Sequence, residues 1–236
     1  MLNRRRAHVG GGERRRRPVN DPRSRSDPEE QALVRRIIRG DTEALAALFA
    51  RHRPRLYRMI QFRLDPKLAA RLDPDDILQE AWLRAVDRIG SFVTDARGSP
   101  FVWLRMIVVQ TLIDLHRRHL GAQRRSAQRE QSRLGGFGGD STSLSLTRHL
   151  IGQLTSPSAA AMRAELSQQL DAALATMSDI DREVLALRHF EELTNQETAL
   201  VLGMSEQAAS ARYVRALARL KKILESIPGF MPLQES

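Results

Sequence analysis

Three groups of residues carry chemistry in this chain. Thr194-Asn195-Gln196-Glu197 has the form of a capping box, in which a hydroxyl and a carboxylate satisfy free amides at a helix start. Eleven residues after Thr194, Ser205 can cap a longer segment whose polar positions are Gln207, Ser210, Arg212, Arg215, Arg219 and Lys222. Gln and Arg on one helix face can pair with adenine and guanine edges, while further Arg and Lys side chains hold phosphates. A second group is Asp75, Asp76 and Glu80. Three carboxylates can hold a metal, but here they follow Asp73-Pro74, and acidic residues at the positive end of a helix dipole are the favoured reading. The third is a run of arginines: Arg4, Arg5, Arg6, Arg14 to Arg17, Arg23 and Arg25.

The chemistry these groups suggest is recognition, not catalysis. No pair of histidines at helical spacing sits beside a carboxylate, no glycine-rich phosphate loop follows a strand, and no Ser-His-Asp grouping is suggested, so a nuclease or hydrolase reading finds no support. No cofactor is expected. The absence of cysteine excludes disulfides and thiolate metal sites. A net charge of +10 draws polyanions, nucleic acid before anionic membrane. The apolar run from Phe101 to Leu115 is broken by Arg105, Gln110 and Asp114 and is too short to span a bilayer. The basic start is followed by no apolar stretch, so no signal peptide is read, and a cytoplasmic location without membrane insertion is expected.

The elements that must position these groups read as helices throughout. Aromatics make up only 5% of the residues, so a core has to come from Leu, Ile, Val and Ala. Residues 1–28 are too polar to offset their ordering entropy and are expected to form a disordered basic arm. From 29 to 120, four amphipathic helices are predicted. The first carries Leu33, Ile37 and Ile38. Gly40-Asp41 ends it and caps a second with Leu45, Leu48, Phe49, Leu56 and Ile60, in which Pro54 threatens a kink. A third starts at Asp73 and repeats Ile77, Leu78, Ala81, Trp82 and Ala85. Gly98-Ser99-Pro100 opens a fourth with Trp103, Leu104, Ile107, Val108 and Leu112. Residues 121–160, with Arg124, Arg125, Arg129, Arg133 and the run Gly135 to Gly139, are read as a flexible linker, with a possible helical extension to about Arg133. Residues 161–227 form a second helical unit. In it Ser178-Asp179-Ile180-Asp181 is like a capping box, and Leu202-Gly203-Met204 turns the capped short helix into the longer one. A short helix, a glycine turn and a longer capped helix describe a helix-turn-helix, with an ordinary helical hairpin as the bland alternative. A tail, 228–236, closes the chain. The expected fold class is therefore all-α: two small helical domains joined by a flexible linker.

Order and spacing together resemble the extracytoplasmic-function (ECF) group of the sigma-70 family, and a long-linker subgroup in particular. Asp75-Asp76-Ile77-Leu78-Gln79-Glu80-Ala81-Trp82 looks like region 2.2. Phe101 to Ile107, with Asp114 and His116-Arg117-Arg118, looks like regions 2.3 and 2.4. Leu174 to Leu220 looks like region 4. Basic His119 to Arg125 and Ser156-Pro157-Ser158 resemble the long-linker subgroup. The resemblance implies a non-enzymatic transcription initiation factor that binds core RNA polymerase through the β′ clamp and β flap and binds promoter DNA both as duplex and melted. An anti-sigma factor is a further partner it allows. It implies polymerase docking by Asp76, Gln79, Glu80 and Arg84. It implies −10 element contacts by Phe92, Arg97, Arg105, His116, Arg117 and Arg118, with the loop from Phe92 to Pro100 trapping a flipped base. It implies −35 element contacts by Ser205, Gln207, Ser210, Arg212, Arg215 and Arg219.

Three departures from the family pattern stand out. Gln207-Ala208-Ala209-Ser210 replaces a run that usually includes Lys, no clear Asn precedes Asp114 near Val109-Gln110-Thr111, and the Arg-rich arm lies outside the pattern. A helix-turn-helix regulator that binds operators without polymerase remains the competing reading. It accounts for 190–225 but leaves the polar face of the helix after Asp73 unexplained.

Overall fold

The computed structural model describes residues 27–92, 99–119, 139–152 and 160–227. Residues 1–26 of the expected arm, Arg97 and its neighbours 93–98, the basic stretch 120–138, residues 153–159 with Ser156-Pro157-Ser158 and the tail from 228 lie outside the described residues, whereas Asp27 and Pro28, expected in the arm, begin the first helix. Every regular element among the described residues is helical.

The first bundle is built from α1 (Pro28–Ile37), α2 (Thr42–Arg63), a short α3 (Pro66–Ala69), α4 (Pro74–Asp87) and α5 (Pro100–His119), with a 3₁₀ turn at Ile89–Ser91. Its caps follow the sequence. Asp27 accepts from the Glu29 amide at 2.9 Å, with Pro28 at the first helical position. Asp41 accepts from the Ala44 amide at 3.0 Å, after Gly40 has turned the chain at φ +83°. Asp73 accepts from the Asp75 amide at 2.8 Å. Helix α2 runs through Pro54, which is exposed, so the proline costs a backbone hydrogen bond without ending the helix. Leu45, Leu48, Leu56 and Ile60 of α2 close on Ile77, Ala81 and Ala85 of α4 and on Leu104, Val108 and Leu112 of α5, all buried. Helix α3 escaped the sequence reading, because four residues carry no detectable period.

The second bundle comprises α6 (Gly139–Gly152), α7 (Ala160–Ala175), α8 (Asp179–Leu185), a π-helical turn (Ala186–Phe190), α9 (Asn195–Leu202) and α10 (Glu206–Ser226). Helix α6 corrects the expectation of a flexible linker over 121–160. Although rich in Ser and Thr, it buries Leu146, Leu150 and Ile151 in the second core, alongside Leu170, Leu174, Val184 and Ala216. The hydroxyls of Thr142 and Thr147 meet Glu183 and Asp171 respectively, whereas the buried Ser143 hydroxyl finds no hydrogen-bond partner. Its composition hid it, because Ser and Thr weaken helix propensity and mask an amphipathic period.

The two bundles pack against each other. Leu187 and Leu193 belong to the first core, and Phe62 of α2 belongs to the second. Phe62 stacks on Phe190 with ring centroids 4.8 Å apart and lies 5.0 Å from the His149 ring.

Candidate nucleic-acid and partner interfaces

The helix-turn-helix is built as its residues require. Thr194 and Glu197 satisfy each other's amides: the Glu197 amide donates to Thr194 Oγ1 at 3.1 Å and the Thr194 amide to Glu197 Oε2 at 2.8 Å. Gly203 ends α9 at φ +64°, where a side chain would be strained. Ser205 accepts from the Ala208 amide at 3.2 Å and starts α10. Helix α10 buries Ala209, Ala216 and Ile223 and half-buries Tyr213 and Leu220. Its open side presents Gln207, Ala208, Ser210, Ala211, Val214, Arg215, Ala218, Arg219 and Lys222. The small side chains let a helix backbone come close to base edges, and the long ones reach phosphates.

Expected −35 residues divide on inspection. Gln207, Ser210, Arg215 and Arg219 share the open face, while Ser205 is exposed at the helix start and occupied as its cap. Arg212 donates to Asp181 at 2.8 Å, a carboxylate that also lies 3.9 Å from Arg219. Asp181 therefore does not complete a reciprocal capping box with Ser178; it ties α8 to α10. Ser178 still accepts from the Asp181 amide at 3.3 Å.

On α4, the exposed strip contains Asp75, Asp76, Gln79 and Leu83, with Glu80 at its edge. Leu83 is 64% exposed, a large apolar side chain amid polar neighbours. Sequence reasoning left it unassigned, although the helical period sets it beside Asp76 and Gln79 and opposite the buried Ile77, Ala81 and Ala85. Arg84, expected on the same surface, turns inward. It donates to Asp114 at 2.6 Å and to Glu80 at 2.7 Å, which places it between α4 and α5. Partial burial works against its charge, but those two carboxylates outweigh it and raise its pKa. Glu80 is shared with Arg118, 3.3 Å away. No cluster of metal-binding type is found among the described residues, Asp75, Asp76 and Glu80 included.

Residues expected at the −10 element are spread over unlike environments. Arg117 and Arg118 are exposed near the end of α5. His116 is half-buried, and burial lowers its pKa. Phe92 and Arg105 depart from expectation. Phe92 is 2% exposed and packs edge-on against Trp103, centroids 5.0 Å apart, because an aromatic next to a tryptophan gains more from the core than from water. Arg105 is 1% exposed and donates to Glu191 at 2.6 Å. As folded here, neither can touch DNA.

Arg105 belongs to a buried ionic group that joins the bundles. Arg63 of α2 donates to Glu183 at 2.7 Å and to Glu191 at 2.7 Å, and also to Thr142 Oγ1 of α6 at 2.9 Å. Two guanidiniums face two carboxylates, so the group is neutral. Burial opposes the Glu191 charge, but Arg105 and Arg63 outweigh it and hold the carboxyl below its ordinary range. Burial likewise opposes the Arg63 charge, and Glu183 and Glu191 reverse the effect and raise its pKa. A rim of further pairs surrounds the group. Arg55 donates to Glu197 at 3.0 Å and to the Glu192 carbonyl at 3.1 Å while lying over the Phe101 ring, and Arg58 donates to Glu192 at 2.8 Å. No sequence period could have announced these pairs, since their partners lie 79 or more positions apart.

Comparison with known proteins adds the family context. Residues 48–121 match the family described as sigma-70 region 2, and residues 167–220 match sigma-70, region 4. The chain is similar to the RNA polymerase sigma factor NccH of Alcaligenes xylosoxydans xylosoxydans, 29% identical over 203 residues, 85% of this chain and 98% of that protein. It is 30% identical over 203 residues to the ECF RNA polymerase sigma factor SigM of Mycobacterium tuberculosis, covering 85% of each. A solved structure titled as CnrH in complex with the cytosolic domain of CnrY is 23% identical, at a TM-score of 0.48, over 84% of this chain and 98% of that one. Helix α6 falls between the two matched regions.

Proposed function

The chain belongs to the ECF group of the sigma-70 family of RNA polymerase sigma factors, which direct promoter recognition in transcription initiation, and from that premise we propose how its surfaces divide the work. Region 2 docks on the β′ clamp through the α4 strip of Asp76, Gln79, Leu83 and Glu80. The observation that carries this is Leu83, 64% exposed in line with Asp76 and Gln79, which gives the polar strip an apolar side chain whose full burial against a partner would gain about 1.5–3 kcal/mol. Arg84 acts behind the strip, holding Glu80 and Asp114 in place. Region 4 lies near the β flap and reads the −35 duplex with Gln207, Ser210, Arg215 and Arg219, while Arg212 fixes α10 to α8. Arg117 and Arg118 hold phosphates at the −10 element. The factor acts by binding, in the compartment where the polymerase works, and an anti-sigma factor would bind the same exposed surfaces.

Two sets of substitutions test the division. Gln207→Ala with Arg215→Ala should weaken promoter-directed transcription and −35 footprinting while leaving core polymerase affinity within about twofold; loss of polymerase binding would refute the assignment. Leu83→Ser with Gln79→Ala should lower core affinity at least tenfold, about 1.4 kcal/mol. Unchanged affinity would refute the docking strip.

A further inference from the structure

Helix α10 offers a duplex more methyl groups than hydrogen-bonding ones along the line that reaches deepest. We propose that Val214 reads the C5 methyl of a thymine, so that a thymine at one fixed step is a required part of the upstream element. The inference rests on the proposed role of α10 as the −35 reader and names what that reader selects.

Helical geometry separates the crest of α10 from its flanks. Ala209, Ala216 and Ile223 mark the buried side. At 3.6 residues per turn, Gln207, Ala211, Val214 and Ala218 fall on the opposite line. All four are exposed, Val214 by 63%. Ser210 and Lys221 stand to one side of that line, and Arg215, Arg219 and Lys222 to the other, around a hollow beside Ala218. Arg212 donates to Asp181 and stays off the crest. From 207 to 224 the helix carries no carboxylate, and the next one, Glu225, lies 3.9 Å from Lys221. A helix of this kind entering a major groove sets its cations against the phosphate walls and its crest against the base edges.

An exposed valine alone is ordinary on a protein surface. The groove decides what this one can meet. Base edges there present nitrogen and oxygen donors and acceptors and a single apolar group, the C5 methyl of thymine. An isopropyl group pressed on amino or keto edges would strip their water and return no hydrogen bond. Against a thymine methyl it buries apolar surface on both partners. Ala211 and Ala218, on either side of Val214 along the crest, are short enough to let it reach the groove floor. Gln207 is the one crest side chain that can hydrogen-bond a base, and its amide suits adenine. Val214 lies seven residues beyond Gln207, roughly 10 Å along the helix axis or about three base-pair steps. The element therefore joins an adenine to a thymine methyl about three steps away.

The test removes one methyl from the DNA and leaves base pairing intact. Holoenzyme formed from the full chain and core polymerase selects duplexes from a mapped promoter whose upstream element has been randomised. Selected elements should hold thymine at one fixed step. Deoxyuridine in its place should weaken holoenzyme binding about fourfold, the effect of one buried methyl, while deoxyuridine at other steps should change it less than about twofold. In Val214→Ala the penalty at the fixed step should shrink to within about twofold, because the two changes remove the same contact. Core polymerase affinity and helical circular dichroism should match wild type in that variant. Selected elements without a fixed thymine, or deoxyuridine tolerated at every step, would overturn the proposal. So would a penalty equal in wild type and Val214→Ala, or a loss of core affinity in Val214→Ala, which would turn the side chain toward a protein. Selection that recovers no upstream element at all would sink the −35 reading of α10, and the thymine contact with it.

Discussion

Single side chains here divide into those that face a partner and those that hold the frame, and the division often runs against their apparent chemistry. Arg84, Arg105 and Arg212 look like contact residues in the sequence, yet each is spoken for by a carboxylate of its own chain. Replacing Arg84 with Ala should cost about 1–2 kcal/mol in urea unfolding, the lower part of the range for charged hydrogen bonds, because all three side chains keep some water. A loss of core affinity without any change in stability would instead return Arg84 to the docking surface. His149 offers a test by pH. It lies against Phe62 and Phe190, and burial, helped by the Arg148 charge, depresses its pKa. A histidine with a depressed folded pKa contributes stability that is present above its unfolded pKa, near 6.5, and is lost as pH falls through the folded value. His116 has the same sign. Stability should therefore decline on acidification from pH 7 toward pH 5, and His149→Phe should flatten that decline. An unchanged slope would mean that His149 titrates as if in water.

Helices in this chain owe their limits to caps and their positions to packing, and only the first was legible in the sequence. Asp41, Asp73, Thr194 and Ser205 all cap where the residue types predicted, because a cap is a local event of three or four residues, whereas Asp27 caps α1 at the end of what read as a disordered arm. Thr194→Ala removes half of the box and should cost about 1 kcal/mol of region 4 stability. Gly203→Ala should cost a similar amount, about 1 kcal/mol, for the left-handed backbone alone, since an added Cβ there meets nothing within 4 Å. A much larger loss in thermal unfolding would point to a contact that α9 and α10 make elsewhere. Helix α6 shows the opposite limit. Its stability comes from Leu146, Leu150, Ile151 and hydroxyl and guanidinium bonds to distant segments, and none of these can be read from 14 residues rich in Ser, Thr and Leu. Helix propensity is a weak prior that tertiary burial overrides.

At the scale of the whole molecule, a charge of +10 and scarce aromatics were enough to place a helical, polyanion-seeking protein, while the order and spacing of its motifs carried the family resemblance. The docking of one bundle on the other was not legible, because it depends on side chains from α2 and α5 meeting side chains from α8 and beyond. Acid should loosen that docking. Glu191 pairs with Arg105 and Arg63, and its carboxyl is held below the ordinary range, so its contribution is full above an unfolded pKa near 4.3 and disappears as pH falls through the lower folded value. Scattering profiles should show the chain expanding in that window while circular dichroism retains helix. Expansion only together with loss of helix would mean that the bundles do not part as units.

Transcription reconstituted from purified core polymerase on a genomic fragment library, with every 5′ end mapped, bears on the assignment most directly. Adding this chain should create a discrete set of start sites, absent from core enzyme alone and weakened by Gln207→Ala/Arg215→Ala. A start-site distribution identical with and without the chain, at protein concentrations that saturate the polymerase, would contradict it.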